Sequence, residues 1–222
     1  MSLYTLSRSR MTASIEGPVG LKIEESNDIK LLAALGNTTV DDVINRLAND
    51  HLAFVAYMNN CPAAFGWMAR GKAKIGELNH EFVLPEGNRY LWNFRTLEAY
   101  RGLGIYPALL RYIMNYEENK ATRFWIIHAP ENKSSLKGIV KAGFEYVGKL
   151  YAKSNGSINI ESTPESEYYR DLLNYMDLPL SDEAAASCWN CSSPYLKKRS
   201  IQCCCTEAGN ICADNAMLSV AL

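Results

Sequence analysis

An arginine followed by two glycines, Arg101-Gly102-Leu103-Gly104, sits between a strand-like run, LWNFRTL, and a helix-like run, IYPALLRYI. Glycine lets the backbone approach a ligand closely, and a helix starting at such a turn points unpaired N–H groups outward. Together these make a cradle for an anion, phosphate above all. Arg101 adds a guanidinium fork or stiffens the turn, and Pro107 suits a first helical turn, where its missing N–H costs nothing. Neither G-x-G-x-x-G nor G-x-x-x-x-G-K-[ST] is present, so a dinucleotide fold and a P-loop are both unsupported. A plain strand-to-helix turn also uses glycine, and the surroundings must decide.

Two further groups carry chemistry. His128 ends the apolar run RFWIIHA, and an imidazole titrates in a range useful for proton transfer. Strand alternation equally allows it to be a capping or surface histidine. Cysteine use divides the chain: only Cys61 lies in the first 187 residues, whereas Cys188, Cys191, Cys203, Cys204, Cys205 and Cys212 crowd the rest. Cys188-x-x-Cys191 has zinc-knuckle spacing, and Cys203 with Cys205 complete a set of four thiolates. The run of three adjacent cysteines and the lack of a second C-x-x-C favour free thiols, so no metal is expected.

The elements that must position these groups follow from periodicity. LKIEES (21–26) alternates as a strand, and NDIKLLAALG and TVDDVINRLAND read as helices with an Asn and a Thr as cap candidates. HLAFVAYM and AAFGWMAR form a hairpin across Asn59-Asn60-Cys61-Pro62, and IGELNHEFVLPEG is an excursion. RYLWNFRTL is rich in strand formers. Past the glycines, Leu109, Leu110, Ile113 and Met114 recur at helical spacing. RFWIIHA, NKSSLKGIVKAGF with Asn132 as cap, and EYVGKLYA then give strand, helix and strand. The class is α/β, with ligands expected beyond the carboxyl ends of strands. ESTPESEYYRDLLNYM reads as one capped amphipathic helix after that domain.

A length of 222 residues with 48% hydrophobic content buries a sizeable core. A net charge of −1 gives no basic field for nucleic acid. No uncharged run is long enough for a membrane helix, and MSLYTLSRSRMT lacks the apolar core of a secretory signal. The expectation is a cytoplasmic protein with neither nucleic acid nor membrane as partner.

With these motifs in order, the sequence resembles the GNAT superfamily of N-acyltransferases, which move an acyl group from coenzyme A to an amine. Residues 101–105 match the first five positions of its signature [QR]-x-x-G-x-[GA], and Tyr106 departs at the sixth. Asn132, eleven residues before Gly143-Phe144, matches a second signature, and Gly66 stands where many members carry a third-strand glycine. The resemblance covers about residues 20–152. It implies a mixed, mostly antiparallel sheet that splays in the middle, flanked by helices, with acyl-CoA wedged into the opening. It also implies that Phe94, Arg95 and Thr96 pair with pantetheine and that Arg101, Gly102, Leu103, Gly104, Ile105 and Tyr106 wrap the pyrophosphate, with Asn132 nearby.

Backbone N–H groups at a helix start suit a multiply charged pyrophosphate, and Tyr106 still supplies one while narrowing the cradle. The glutamate and tyrosine that some members use as base and acid fall here at Ile127 and Ile139. Proton transfer must therefore come from His128, from Glu77, His80, Glu81 or Glu98, or from water. The expected domains are an acyltransferase domain over 1–155, a helical extension over 156–187 and a cysteine-rich tail over 188–222. The expected activity is direct acetyl transfer from acetyl-CoA to a small-molecule or peptide amine, with homodimerisation left open. The competing reading is an acyl-CoA-binding module that lost the chemistry.

Overall fold

The computed structural model describes residues 1–11, 15–129, 132–153 and 155–183. The tail cysteines and the basic run 195–199 lie outside these residues. The chain runs β1 (Ser2–Ser7), β2 (Leu21–Glu25), α1 (Ile29–Gly36), α2 (Val40–Ala48), β3 (His51–Met58), β4 (Cys61–Ala69), β5 (Lys72–Ile75), β6 (His80–Val83) and β7 (Asn88–Thr96). It continues through α3 (Ile105–Tyr116), β8 (Arg123–His128), α4 (Lys133–Lys141), β9 (Glu145–Ala152), β10 (Ile158–Glu161), α5 (Pro164–Tyr168), α6 (Arg170–Tyr175) and β11 (Leu180–Ser181).

Among the described residues, nine strands form one sheet in the order β11-β10-β9-β1-β8-β7-β4-β3-β2, while β5 and β6 make a separate hairpin. Its pairs are antiparallel apart from β7 with β8 and β10 with β11. The sheet is therefore mixed and mostly antiparallel, as expected. The N-terminal residues, in which the sequence showed no element, form β1 and stand between β8 and β9. The helix expected over 161–176 divides at Tyr169 into α5 and α6, although its cap holds: Thr163 and Ser166 bond each other reciprocally.

Both sheet faces are covered. Leu109, Leu110 and Ile113 of α3 and Ile139 of α4 are fully buried against Phe54, Leu91 and Phe124, and each contributes about 1.5–3 kcal/mol by leaving water. On the other face Leu32 and Val43 of α1 and α2 pack against Val55, Phe65 and Trp67. Local chemistry sets the ends of these elements. The Asp28 side chain, one residue after the expected Asn27, accepts from Leu31 N at 3.0 Å to start α1. Thr39 and Asp42 make a reciprocal cap on α2. The β3–β4 turn needs only Asn59 and Asn60, both at positive φ, so Cys61 already pairs with Met58.

One feature of β7 shapes the site. The strand pairs with β8 only from Asn88 to Leu91, although it runs on to Thr96. On its other side Trp92 faces Trp67 and Arg95 faces Phe65, so Asn93 and Phe94 together oppose Gly66. This is a β-bulge, with Asn93 in the left-handed region at φ 51°. The bulge bends β7 away from β8 and splays the sheet. A β-branched residue tolerates that φ poorly, so Asn93→Val should lower stability by about 1–3 kcal/mol in urea unfolding, whereas Asn93→Gly should leave it nearly unchanged.

Candidate functional site

The splay opens onto a cleft of about 620 Å³ between the end of β7 and the N-terminal turns of α3 and α4. Phe94, Arg95, Thr96, Arg101, Gly102, Gly104, Ile105, Tyr106 and Asn132 all line it. Leu103, at the tip of the turn, is the member of the expected set that does not, and its side chain is half exposed. Beyond Leu91, β7 has no ladder partner on the β8 side, so backbone groups there face the opening.

Gly102 and Gly104 have φ values of 80° and 79°, and a Cβ built on either would meet no atom within 4 Å. They are required by backbone conformation, and the space they leave is open. Gly104 is the residue from which α3 begins, so the first N–H groups of that helix border this space. Arg101 Nε donates to the Thr96 carbonyl at 3.3 Å, which braces the turn. Lys137 and Lys141, one turn apart on α4, also line the cleft and add positive charge. Sequence reading passed them over because lysines on a helix usually mark a solvated face. Arg111 donates from Nη2 to the Ala142 carbonyl at 3.0 Å and ties α3 to the end of α4.

Tyr106 follows from its own packing. A Cβ on Gly138 would lie 2.3 Å from the Tyr106 ring, and one on Gly66 would lie 2.1 Å from the Phe94 ring. Each glycine thus makes a slot for an aromatic ring, and the two rings contact each other with centroids 5.4 Å apart. The Tyr106 hydroxyl lies 3.4 Å from Ser135 Oγ. Burial pushes its pKa well above the usual phenol range, so the phenol stays protonated. Ser135 is itself fixed, since its N–H donates to the Asn132 side chain at 3.1 Å in the α4 cap.

A second cleft, of about 740 Å³, shares Phe94, Tyr106, Asn132 and Ser135 with the first and extends past Trp92, Asn93, Ile127, Glu77 and Arg46. The two clefts therefore meet at the aromatic pair. His128 lines neither: it is 3% exposed, its Nε2 is 2.9 Å from the Asn132 carbonyl, and its ring meets Tyr4 edge to face. Strand alternation places it with Phe124 and Ile126 on the face covered by helices. His80 is buried with Nε2 3.1 Å from the Met176 carbonyl, Glu81 pairs with Lys74, and Glu98 is exposed and lines neither cleft. Glu77 alone among the carboxylates considered from sequence lines the second cleft. Ile127 lines that cleft too, and Ile139 is fully buried in the core.

A mostly antiparallel sheet that splays in the middle, between β7 and β8, is the arrangement that the sequence resemblance implied. In fold, the protein has the GNAT-like layout that the resemblance implied.

No family model matches the sequence, and no curated protein matches it. Among solved structures, it is similar to a GCN5-related N-acetyltransferase from Kribbella flavida at 15% identity and a TM-score of 0.41, over 56% of this chain and 46% of that one. A predicted acetyltransferase with acetyl-CoA from Clostridium acetobutylicum matches at 18% identity and a TM-score of 0.40, over 56% of this chain and 90% of that one. A glucosamine-6-phosphate N-acetyltransferase from Arabidopsis thaliana matches at 16% identity and a TM-score of 0.42, over 60% and 97%. Among the described residues no helix is long and apolar enough to cross a membrane.

Proposed function

We propose that the protein is an N-acetyltransferase that takes acetyl-CoA in the cleft at the α3 turn and an amine in the cleft beyond the aromatic pair. The observation that carries this reading is the meeting of the two clefts at Phe94, Tyr106, Asn132 and Ser135. A single anion cradle would need no second approach to its inner end. The residues fit the cofactor: open space at two positive-φ glycines, a helix start, and cations from Arg101, Lys137 and Lys141 for its phosphate groups. When bound, acetyl-CoA supplies an acyl carbon activated as a thioester.

The chain's own groups then have separate tasks. Backbone N–H groups of β7 past the bulge hold the acyl arm and stabilise negative charge developing on its carbonyl oxygen. Glu77, on the wall of the acceptor cleft, takes a proton from the incoming ammonium and leaves a neutral amine. The N–C bond forms as the C–S bond breaks, and the amine's second surplus proton passes to solvent. The Tyr106 hydroxyl, protonated throughout the working range, donates a hydrogen bond to the departing sulfur, which leaves as thiolate and is protonated by water.

Thiol release from acetyl-CoA with a panel of amines tests this reading. Tyr106→Phe keeps the ring in the Gly138 slot and removes only the donor, so kcat should fall about 100-fold while acetyl-CoA affinity by calorimetry changes little. Acetyl-CoA binding with no thiol release from any amine would establish the second reading, a binding module. The isoleucines at positions 127 and 139 favour that alternative.

A further inference from the structure

Unsatisfied nitrogens cluster at one end of the acceptor cleft, where Arg46 and Trp92 line it and His51 and Trp67 pack against them off its wall. Arg46 Nη1, His51 Nδ1, Trp67 Nε1 and Trp92 Nε1 are all buried with no hydrogen-bond partner among the described residues. These residues touch one another. The Arg46 guanidinium carbon lies 5.2 Å from the Trp67 ring centre and 4.8 Å from that of Trp92, and His51 meets Trp92 edge to face at 5.3 Å. His51 Nε2 already donates to the Lys72 carbonyl at 2.9 Å, which leaves its Nδ1 as an acceptor, but the Arg46 and indole nitrogens are donors. Buried donors without acceptors are costly, and three in one cluster point to a missing acceptor.

The charge points the same way. Arg46 forms no ion pair among the described residues, and Asp42, one turn earlier, is engaged by Thr38 and Thr39 at the α2 cap. Lys74, the other side-chain cation on this wall, is paired with Glu81 at 3.1 Å. A guanidinium with no contacting carboxylate, on which Asp42 acts only from a distance, accommodates a single further negative charge. Glu77 on the same wall disfavours a dianion such as a phosphate monoester. A carboxylate is a monoanion that matches a guanidinium fork. Arg46 and Trp92 both line the cleft that ends at Phe94 and Tyr106, so a group held there is continuous with the proposed place of transfer.

We propose that Arg46, with the Trp92 indole, is a carboxylate subsite of the acceptor cleft, and that the acceptor is a small amine bearing one carboxylate. This rests on the acetyl-transfer reading for the word acceptor, but the subsite can be tested without turnover. Its ammonium end lies toward Glu77 and the aromatic pair, and its carboxylate takes N–H groups from Arg46 and the Trp92 indole.

The test uses the full chain and matched probes: glycine, β-alanine and 4-aminobutyrate against their carboxamides. Intrinsic tryptophan fluorescence reads binding without acetyl-CoA, and thiol release reads transfer. At least one carboxylate should bind about tenfold more tightly than its carboxamide. Arg46→Gln should bring that ratio to within about threefold, and Arg46→Lys should keep part of it because the charge remains but the fork is lost. Acetyl-CoA affinity checks that each variant is folded. Equal binding of carboxylates and carboxamides, binding of neither, or a ratio unchanged in Arg46→Gln overturns the subsite, even if neutral amines release thiol and acetyl transfer stands. A carboxylate preference that depends on Arg46 without any thiol release supports the subsite and removes only the transfer reading.

Discussion

Acetyl-CoA affinity should fall at least about tenfold in Gly104→Val, with the protein still folded. Two effects of the substitution can be separated. At φ 79° a side chain strains the backbone, a cost of about 1–2 kcal/mol that the whole fold can absorb. In the free protein the new Cβ would meet nothing within 4 Å, so no packing is lost. The larger effect falls on the ligand, because a valine at the start of α3 occupies the space through which a phosphate must approach the helix N–H groups. Calorimetry reads the affinity and thermal unfolding reads the strain. Gly104→Ala should show most of the strain and less of the affinity loss. Unchanged affinity in folded Gly104→Val would remove the cradle from the site.

The largest loss of stability should come from Glu117, at the other end of the same helix. Glu117 caps the C-terminus of α3 and is completely buried, a poor place for a carboxylate since the helix end is itself negative. Arg89 from β7 donates to it at 2.7 Å, and Arg70 after β4 donates from Nε at 3.2 Å. Glu117→Ala strands both guanidinium groups, of which Arg89 is nearly buried. The expected cost in urea unfolding is about 3–5 kcal/mol. Burial alone would raise the Glu117 pKa, but hydrogen bonds from Arg70 and Arg89 together with their charges outweigh it and hold the pKa below the usual range. A depressed folded pKa means that this stabilisation is full above the ordinary glutamate range and is lost as pH falls through the folded value. Glu117→Gln should therefore flatten the acid limb of the stability profile below about pH 4. An unaltered acid limb would show that the triad does not govern acid unfolding.

The glycine turn was legible because its signals are local: positive φ, a helix start and proline in the first turn are all written within a few residues. The strands on either side of it and α1 to α4 were legible for the same reason, since each carries its own period and α1, α2 and α4 carry a side-chain cap as well. Asn93 was hidden, because YLWNFRT reads as one continuous strand, and only the register against β4 shows that two of its residues oppose Gly66. The value of Gly66 and Gly138 as slots for Phe94 and Tyr106 is equally a matter of partners distant in sequence. Arg46 looked like one polar residue on an amphipathic helix, and two tryptophans from different strands turn it into something else. His128 misled because strand alternation allows either face, and the packing of Tyr4 and α4 decides. β1 escaped notice because its identity depends on neighbours far along the chain.

That strand also sets the order in which the molecule can assemble. Thr5 Oγ1 donates to the carbonyl of Phe124, 119 residues away, and Ser2 pairs with Lys149. The glycine turn, by contrast, lies directly between β7 and α3, which are consecutive. During synthesis the residues of β1 emerge before β8 and β9 and wait for them, so the glycine turn can form while the middle of the sheet is still open. Contacts closed over so long a loop are slow to form. Until β1 docks, β8 and β9 each present an unpaired edge to other chains. The protein's window of greatest exposure to aggregation therefore falls after its glycine turn exists and before its sheet is whole.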